Sequence, residues 1–510
     1  MSQPSSYDNL KATFARMRNL SYAAEILSKD METVLAKGSH QDRINQLVAI
    51  GETTHAIMCD KRVEDWLDDA EANQQNLSAE DQRNLHLMRR EWVHEASLPD
   101  DLAREASRVA AEGEQIHTQN YKSGDWSKVR DWYTHSFAIA RQVGQAKQAK
   151  MGLASAYEAL LDQFSPGLRA AQVEQEFSAL DKALRVMIPE AFARQKSAPA
   201  ALPITGPFPR EAQMVLNHAL AKLVGFDTNR GILYAIDGHP SSAGSPDDSR
   251  ITTRCNDTDF FDSIYSTVHE AGHAIYGQNL PAAWRYQPAG DHMGMGVHES
   301  QSMIIEYQAC MSGPFLDYLS GELQKTFNRA NDPALSAENL KRTLWHSQPS
   351  FIRVQADELT YPLHVILRHD LEQRIINGTL EVKDLPDAWN DGMKQRLGVV
   401  PPDASKGCMQ DVHWPCGMIG YFPAYTLGAM GAAQFFAAAK RADPTVLPEI
   451  TKGNFKPLND WQRANIHSKG SLLSNNDLFT KATGAPLNAQ AYLNHLSERY
   501  LGRPYTPGTP

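Results

Sequence analysis

Residues Asp262 to Leu280 read DSIYSTVHEAGHAIYGQNL. Ile264, Val268, Ala271 and Ile275 recur at three- and four-residue spacing, which predicts a helix with a buried face. On that helix His269 and His273 stand four apart, one above the other, and Glu270 points into an adjacent sector. Both imidazoles can then reach one ion at roughly 2.0–2.1 Å, with a carboxylate beside the water that such an ion would bind. In a chain with 18 histidines, chance supplies H-E-x-x-H about 0.04 times. The competing reading is a core helix with one buried and one capped histidine.

A catalytic zinc needs a third protein ligand and one open position, and Asp291, His292, His298, Glu299 and Glu306 are the candidates downstream. Glu299 is expected, because it follows His273 by 26 residues and opens a second helical run, ESQSMIIEYQACM. His298 would point about 100° away, as a neighbour, a donor to a ligand or a surface residue. Zinc is the expected ion, and cobalt or manganese could replace it on two histidines and a glutamate. Zinc lowers the pKa of its water toward about 7, so Glu270 could take that proton in hydrolysis of a peptide bond. The developing negative charge then needs donors, and Gly407 to Gly428, GCMQDVHWPCGMIGYFPAYTLG, offers His413, Tyr421 and Tyr425, with the choice among them open. Read as metal ligands instead, Cys408, His413 and Cys416 lack a fourth partner at zinc-finger spacing. In isolation Arg353 and Asp357 read as a helix-surface pair, and Arg250 and Arg254 as a solvated strand edge. An exopeptidase would use such a cation to hold a substrate carboxylate.

Around this centre the chain reads as mainly α-helical, one large domain over 1–510. Helical spacing dominates 1–196, as in INQLVAIGETTHAIM and LMRREWVHEASL. Pro199, Pro203, Pro207 and Pro209 open a linker over 197–258 that includes a small β element, a hairpin or sheet, with GILYAI and RITTR as strands and GHPSSAGSPDDS as a loop. The catalytic helical region, 259–510, is interrupted by GVVPPDASKG and closed by GRPYTPGTP.

Composition narrows the partners. Sixty acidic against fifty basic residues give a formal charge of -10, and without a basic run no nucleic-acid partner is expected. The start lacks the apolar core of a signal peptide and reads as an amphipathic helix capped by Ser5 or Ser6, so no export is expected. Phe422 to Ala439, Ala/Gly-rich with Pro423 and Gln434, reads as a buried helix and not a membrane span. Five cysteines are too few for a disulfide scaffold in 510 residues, and a cytoplasmic location fits them.

Five ordered motifs, taken together, resemble the carboxypeptidase Taq family of metallocarboxypeptidases. They are Asp248 to Thr252 as D-x-R-x-T, the H-E-x-x-H itself, His298 to Gln301 as H-E-S-Q, Ile352 to Asp357 as I-R-x-x-A-D, and Gly407 to Trp414 as G-x-x-Q-D-x-H-W. The resemblance implies a nearly all-helical fold with a deep groove, zinc on His269, His273 and Glu299, and a homodimer. It implies release of single residues from peptide C-termini with broad preference, sparing proline. It makes Arg250, Arg254 and Arg353 candidates for the carboxylate side, and brings in His239 through the H-P-F segment, which with D-x-R-x-T narrows one groove end. Two departures stand out: H-P-F reads His239-Pro240-Ser241, and the Glu of Y-E-Q is Gly277. An endo-oligopeptidase with the same zinc chemistry is the alternative that Ser241 leaves open, and a non-catalytic helical binding protein is the distant one.

Overall fold

Ser5 starts the first helix. Its backbone is extended and its hydroxyl accepts the Asp8 N–H at 3.2 Å, so Ser5 and not Ser6 is the cap of α1 (Ser6–Thr33). The computed structural model describes residues 4–506, so the last four residues of the Pro/Gly tail lie outside it. Helices α1, α2 (His40–Met58), α3 (Lys61–Ala72) and α4 (Ala79–Ala96) enclose a small core of their own, with Leu10, Phe14, Leu67, Leu85 and Met88 among its buried residues. Each such side chain contributes about 1.5–3 kcal/mol. The INQLVAIGETTHAIM stretch is helical as expected, yet Ile44 and Val48 remain 43% and 53% exposed. Its spacing reports a helix and not a buried one.

Residues 198–209 form neither helix nor strand, in keeping with their prolines, and Asn339 ties them down by accepting the Leu202 N–H at 2.7 Å. The sheet that follows has the order β1-β3-β2, from β1 (Gly231–Ala235), β2 (Ser242–Ser245) and β3 (Asp248–Thr253). β1 runs parallel to β3, with Leu233 opposite Ile251, and β2 runs antiparallel to β3, with Ala243 opposite Arg250. This corrects the reading of 238–249 as loop. Ser-Ala-Gly-Ser offers no apolar alternation, and what holds it extended is tertiary: β3 on one edge, and Glu25 of α1 accepting the Gly244 N–H at 2.9 Å.

A large core unites the rest. The helix Pro423–Ala442 is buried on nearly every face, and its Gln434 amide donates to Thr483 Oγ1 at 2.8 Å and to two carbonyls, so the polar group inside the core is satisfied. No helix among the described residues is long and apolar enough to cross a membrane. Helical order breaks at 398–422, as the glycines and prolines predict, and also at 346–360, where continuous helix was expected. There Arg353 sits in a single 3-10 turn and Asp357 accepts the N–H groups of Leu359 and Thr360, so the two are not a helix-surface pair.

Candidate metal centre and active site

The H-E-x-x-H stretch forms the helix Phe261–Gln278, whose Ile264, Val268, Ala271 and Ile275 are all buried. Packed on it is the helix Met295–Met303, which begins one turn before Glu299 and continues as a π-helix over Ile304–Cys310. Two glycines allow this closeness. A side-chain carbon at Gly272 would come within 2.7 Å of the Gln301 carbonyl oxygen, and one at Gly428 within 2.5 Å of Glu299 Cβ. Glu299 is thereby pressed between two helices and onto the histidines.

His269 Nε2 and His273 Nε2 each lie 3.7 Å from Glu299 Oε2. Ligand atoms about 2.0–2.1 Å from a tetrahedral ion stand roughly 3.3 Å apart, so a slight closure fits one metal. The other ring nitrogens are already engaged: His269 Nδ1 by Glu306 Oε2 at 2.7 Å, and His273 Nδ1 by His298 Nδ1 at 2.6 Å. This leaves both Nε2 atoms to converge on the same point. Electrostatics agree with a cation there. Burial opposes a charge on His269, but bonded Glu306, with Glu270 and Glu299 behind it, outweighs burial and lifts its pKa to about 10.

Glu270 is buried beside this cluster, and burial together with Glu299 pushes its pKa up to about 7, against the pull of His269 and Lys29. Lys29 reaches in from α1, only 4% exposed, and donates to Glu32 at 2.7 Å and to the Ser241 hydroxyl. Where the resemblance expects an aromatic ring, the hairpin therefore carries a polar clasp to α1.

The opposite wall is built from the irregular segments. Arg353 is buried and donates through Nε and Nη2 to Asp411 Oδ1 at 3.1 and 2.9 Å, and through Nη1 to the Tyr361 hydroxyl at 2.8 Å. Arg368, fully buried, donates to the other Asp411 oxygen at 2.7 Å. Two guanidinium groups thus share the one carboxylate that pairs with them, Glu372 acting on Arg368 without pairing, and Tyr425 covers Arg353 with its ring centre 4.8 Å from Cζ. His413 Nε2 is 3.2 Å from the Tyr425 hydroxyl, and Tyr421 packs beside them, its ring 5.3 Å from that of Tyr425. Burial, with Arg353, drives the His413 pKa down to about 3, so this imidazole is neutral.

Of the residues expected from sequence, His269, Glu270, His273 and Glu299 come together, facing Arg353, His413, Tyr421 and Tyr425. His239 is exposed, bonds its own Pro240 carbonyl at 2.6 Å, and lies close enough for its charge to act on His413. Arg250 and Arg254 stay on the sheet side: Arg250 donates to Asp248 at 2.9 Å and Tyr234 at 3.2 Å, and Arg254 pairs with Asp262 at 2.7 Å. Sequence reasoning weighed Glu306 only as a ligand and assigned nothing to Tyr361, Arg368 or Asp411. Asp411 lay inside the quoted G-x-x-Q-D-x-H-W, but its partners come from a turn 58 residues upstream and from a helix.

Comparison with known proteins places this geometry. The chain is 32% identical over 509 residues to thermostable carboxypeptidase 1 of Thermus thermophilus, covering 98% of this chain and 99% of that one. It is 29% identical to carboxypeptidase 1 of Bacillus subtilis, over 95% of this chain and 96% of that one. Its fold superposes on Trypanosoma cruzi metallocarboxypeptidase 1 with a TM-score of 0.94 at 31% identity, covering 97% of this chain and 99% of the other. On the M32 carboxypeptidase of Deinococcus radiodurans the TM-score is 0.90 at 31% identity, with 97% and 98% covered. With residues 9–500 matching the family described as carboxypeptidase Taq (M32) metallopeptidase, the chain belongs to that family of peptide-bond hydrolases and is a metallocarboxypeptidase.

Proposed function

We propose that the chain releases single amino acids from free peptide C-termini with a zinc ion held by His269, His273 and Glu299. The observation that carries this reading is the surplus positive charge of Arg353 and Arg368 over Asp411, buried across from the three ligand atoms. Such a charge suits a terminal carboxylate, which an internal peptide segment lacks. Arg353 keeps two N–H bonds uncommitted after its contacts to Asp411 and Tyr361, enough for a forked grip.

When bound, the ion supplies Lewis acidity toward the scissile carbonyl and acidifies water. Glu270, held beside that point in a dry setting, accepts the proton of the attacking water and passes it to the leaving amine. Tyr425 or Tyr421 supplies a hydroxyl to the carbonyl oxygen as it gains charge, and neutral His413 fixes the Tyr425 hydroxyl. His239 flanks His413, while Arg250 and Arg254, each held by its own aspartate, shape the rim and act on the carboxylate only from a distance. Broad side-chain preference with discrimination against proline, replacement of zinc by cobalt or manganese, a homodimer and a cytoplasmic location belong to the same reading. Sedimentation measures the dimer, and all five cysteines are free, as a reducing compartment requires.

The test is release of amino acid from a peptide and from its C-amidated twin, with chelator and with zinc restored. Metal-dependent release from the free peptide alone is expected. Cleavage of both would turn the reading to an endo-oligopeptidase, and cleavage of neither by zinc-loaded protein would end it.

A further inference from the structure

Between the N-terminal helices and the body of the molecule lies a cavity of about 1020 Å³, which shares Asp291, His292 and Met295 with a smaller one bounded by His273 and His298. Met295 is four residues, one helical turn, before Glu299, so the large cavity reaches up to the metal ligands, and Arg353 lines neither cavity. On the carboxypeptidase reading, a peptide whose carboxylate sits at Arg353 has its upstream residues beyond the metal ligands, where this cavity lies.

Helix α4 lines one wall of the cavity with Arg83, His86 and Arg90, spaced three and four apart on one face. Arg90 is committed to Asp162 at 2.9 Å. Arg83 is not committed to any acid: its Nε and Nη2 donate only to the carbonyls of Ser471 and Leu473, at 3.0 and 3.1 Å. Among the described residues no carboxylate lies within ion-pairing distance of it. Asp477 acts on Arg83 only from a distance, and the four acids that line the cavity have other partners, Glu95 lying 3.7 Å from His55. Glu91 and Asp291 pair with Arg18, and Glu176 accepts the Ala489 N–H at 2.8 Å. A half-buried guanidinium with its outer Nη1–Nη2 edge free, in a roomy cavity, is a fork without its anion.

We propose that Arg83 forms a subsite for a carboxylate, supplied by an acidic side chain of the peptide upstream of the scissile bond. This rests on the carboxypeptidase reading for the direction of the peptide. Arg83 is then a specificity residue, not a catalytic one: it tightens binding of one class of peptide and leaves the chemical step alone.

The test uses N-acetylated peptides with a neutral backbone sequence and a free C-terminus, in which one Glu is moved through the upstream positions and each peptide has a Gln twin. Hydrolysis is measured with wild type, Arg83→Gln and Arg83→Lys, and binding by calorimetry on zinc-loaded Glu270→Gln protein with and without Arg83→Gln. At one position Glu should be preferred about tenfold over Gln in KM and in binding, with kcat unchanged and the preference shrinking in salt. Arg83→Gln should abolish the preference while leaving the Gln twin's KM as in wild type, which also reports an intact fold, and Arg83→Lys should keep part of it. Equal treatment of Glu and Gln at every position, or a preference that survives Arg83→Gln, overturns the proposal. If acetate instead speeds cleavage of the Gln twin in wild type and not in Arg83→Gln, the anion is a free one and the side-chain assignment falls. Binding preference without hydrolysis would sink the carboxypeptidase reading alone, and hydrolysis without preference would sink the Arg83 subsite alone.

Discussion

The two walls of the site are made in opposite ways. The metal-ligand wall comes from regular helix, Phe261–Gln278 and Met295–Met303, and concentrates carboxylates around two histidines until one of them would hold a proton with a pKa of about 10. The facing wall comes from turns at 346–360 and 402–422 with one supporting helix, and concentrates two arginines on one aspartate. One wall lacks positive charge and the other has a surplus. The difference divides the work: a cation belongs on the first, and an anion, the end of a peptide, belongs against the second.

The comparison breaks most violently where a ligand or the base is removed. Glu299→Gln should strip the ion, read by metal analysis after dialysis, and activity should fall by at least about 10³-fold. Glu270→Gln should lose about 10²–10⁴-fold in kcat while metal content stays at one ion. If Glu270→Gln lost its metal as well, the division between holding the ion and moving the proton would be wrong. On the other wall, Arg353→Gln leaves Asp411 paired one-to-one with Arg368, so the fold should survive. There kcat/KM for free C-termini should drop about 10- to 150-fold, the worth of a charge-assisted bond, and the discrimination against amidated peptides should drop with it.

Within the metal wall the two histidines are themselves unequal. His269 leans on a carboxylate, Glu306, and His273 on a neutral imidazole, His298. Glu306→Gln should weaken zinc affinity about 10- to 100-fold, measured by competition with a chelator, and His298→Gln should weaken it less, because an amide oxygen can replace a neutral acceptor. Equal losses would show that the charge of Glu306 adds nothing beyond orientation.

The same contrast explains what could be read from the amino-acid order alone. His269, Glu270 and His273 were legible because helical geometry converts spacing into direction with no other information. Glu299 was legible as a candidate, but Gly272 and Gly428, which let its helix press close, carry meaning only once the helices are packed. The arginine wall had no such ruler: Arg353 meets Asp411 across 58 residues of turn and helix, and spacing alone pointed wrongly to Asp357. Only resemblance singled out Arg353. β2 was invisible for a related reason, since Ser242–Ser245 owes its extension to β3 and Glu25 and not to its own residues.

The smallest effect is a pH dependence carried by the arginine wall. His364 and His413, on the arginine wall, are neutral because burial, reinforced by the nearby guanidinium groups, drives each pKa to about 3. An unfolded histidine titrates near 6.5, so below that pH the unfolded chain binds protons that the folded chain refuses. Each such group costs about 1.4 kcal/mol of stability per pH unit between 6.5 and 3, and nothing above 6.5. In zinc-loaded protein these histidines should therefore leave the urea midpoint untouched from pH 8 to about pH 6.5 and lower it below, while Glu372, raised by burial to about 7, works the other way between about pH 7 and 4.5. His364→Leu, similar in bulk and without a titrating group, should reduce that slope by about one proton's worth while leaving the plateau within about 1.5 kcal/mol of wild type. An unchanged slope would mean that His364 is already charged in the folded state, against the guanidinium charge of Arg353 and Arg368 that opposes it there.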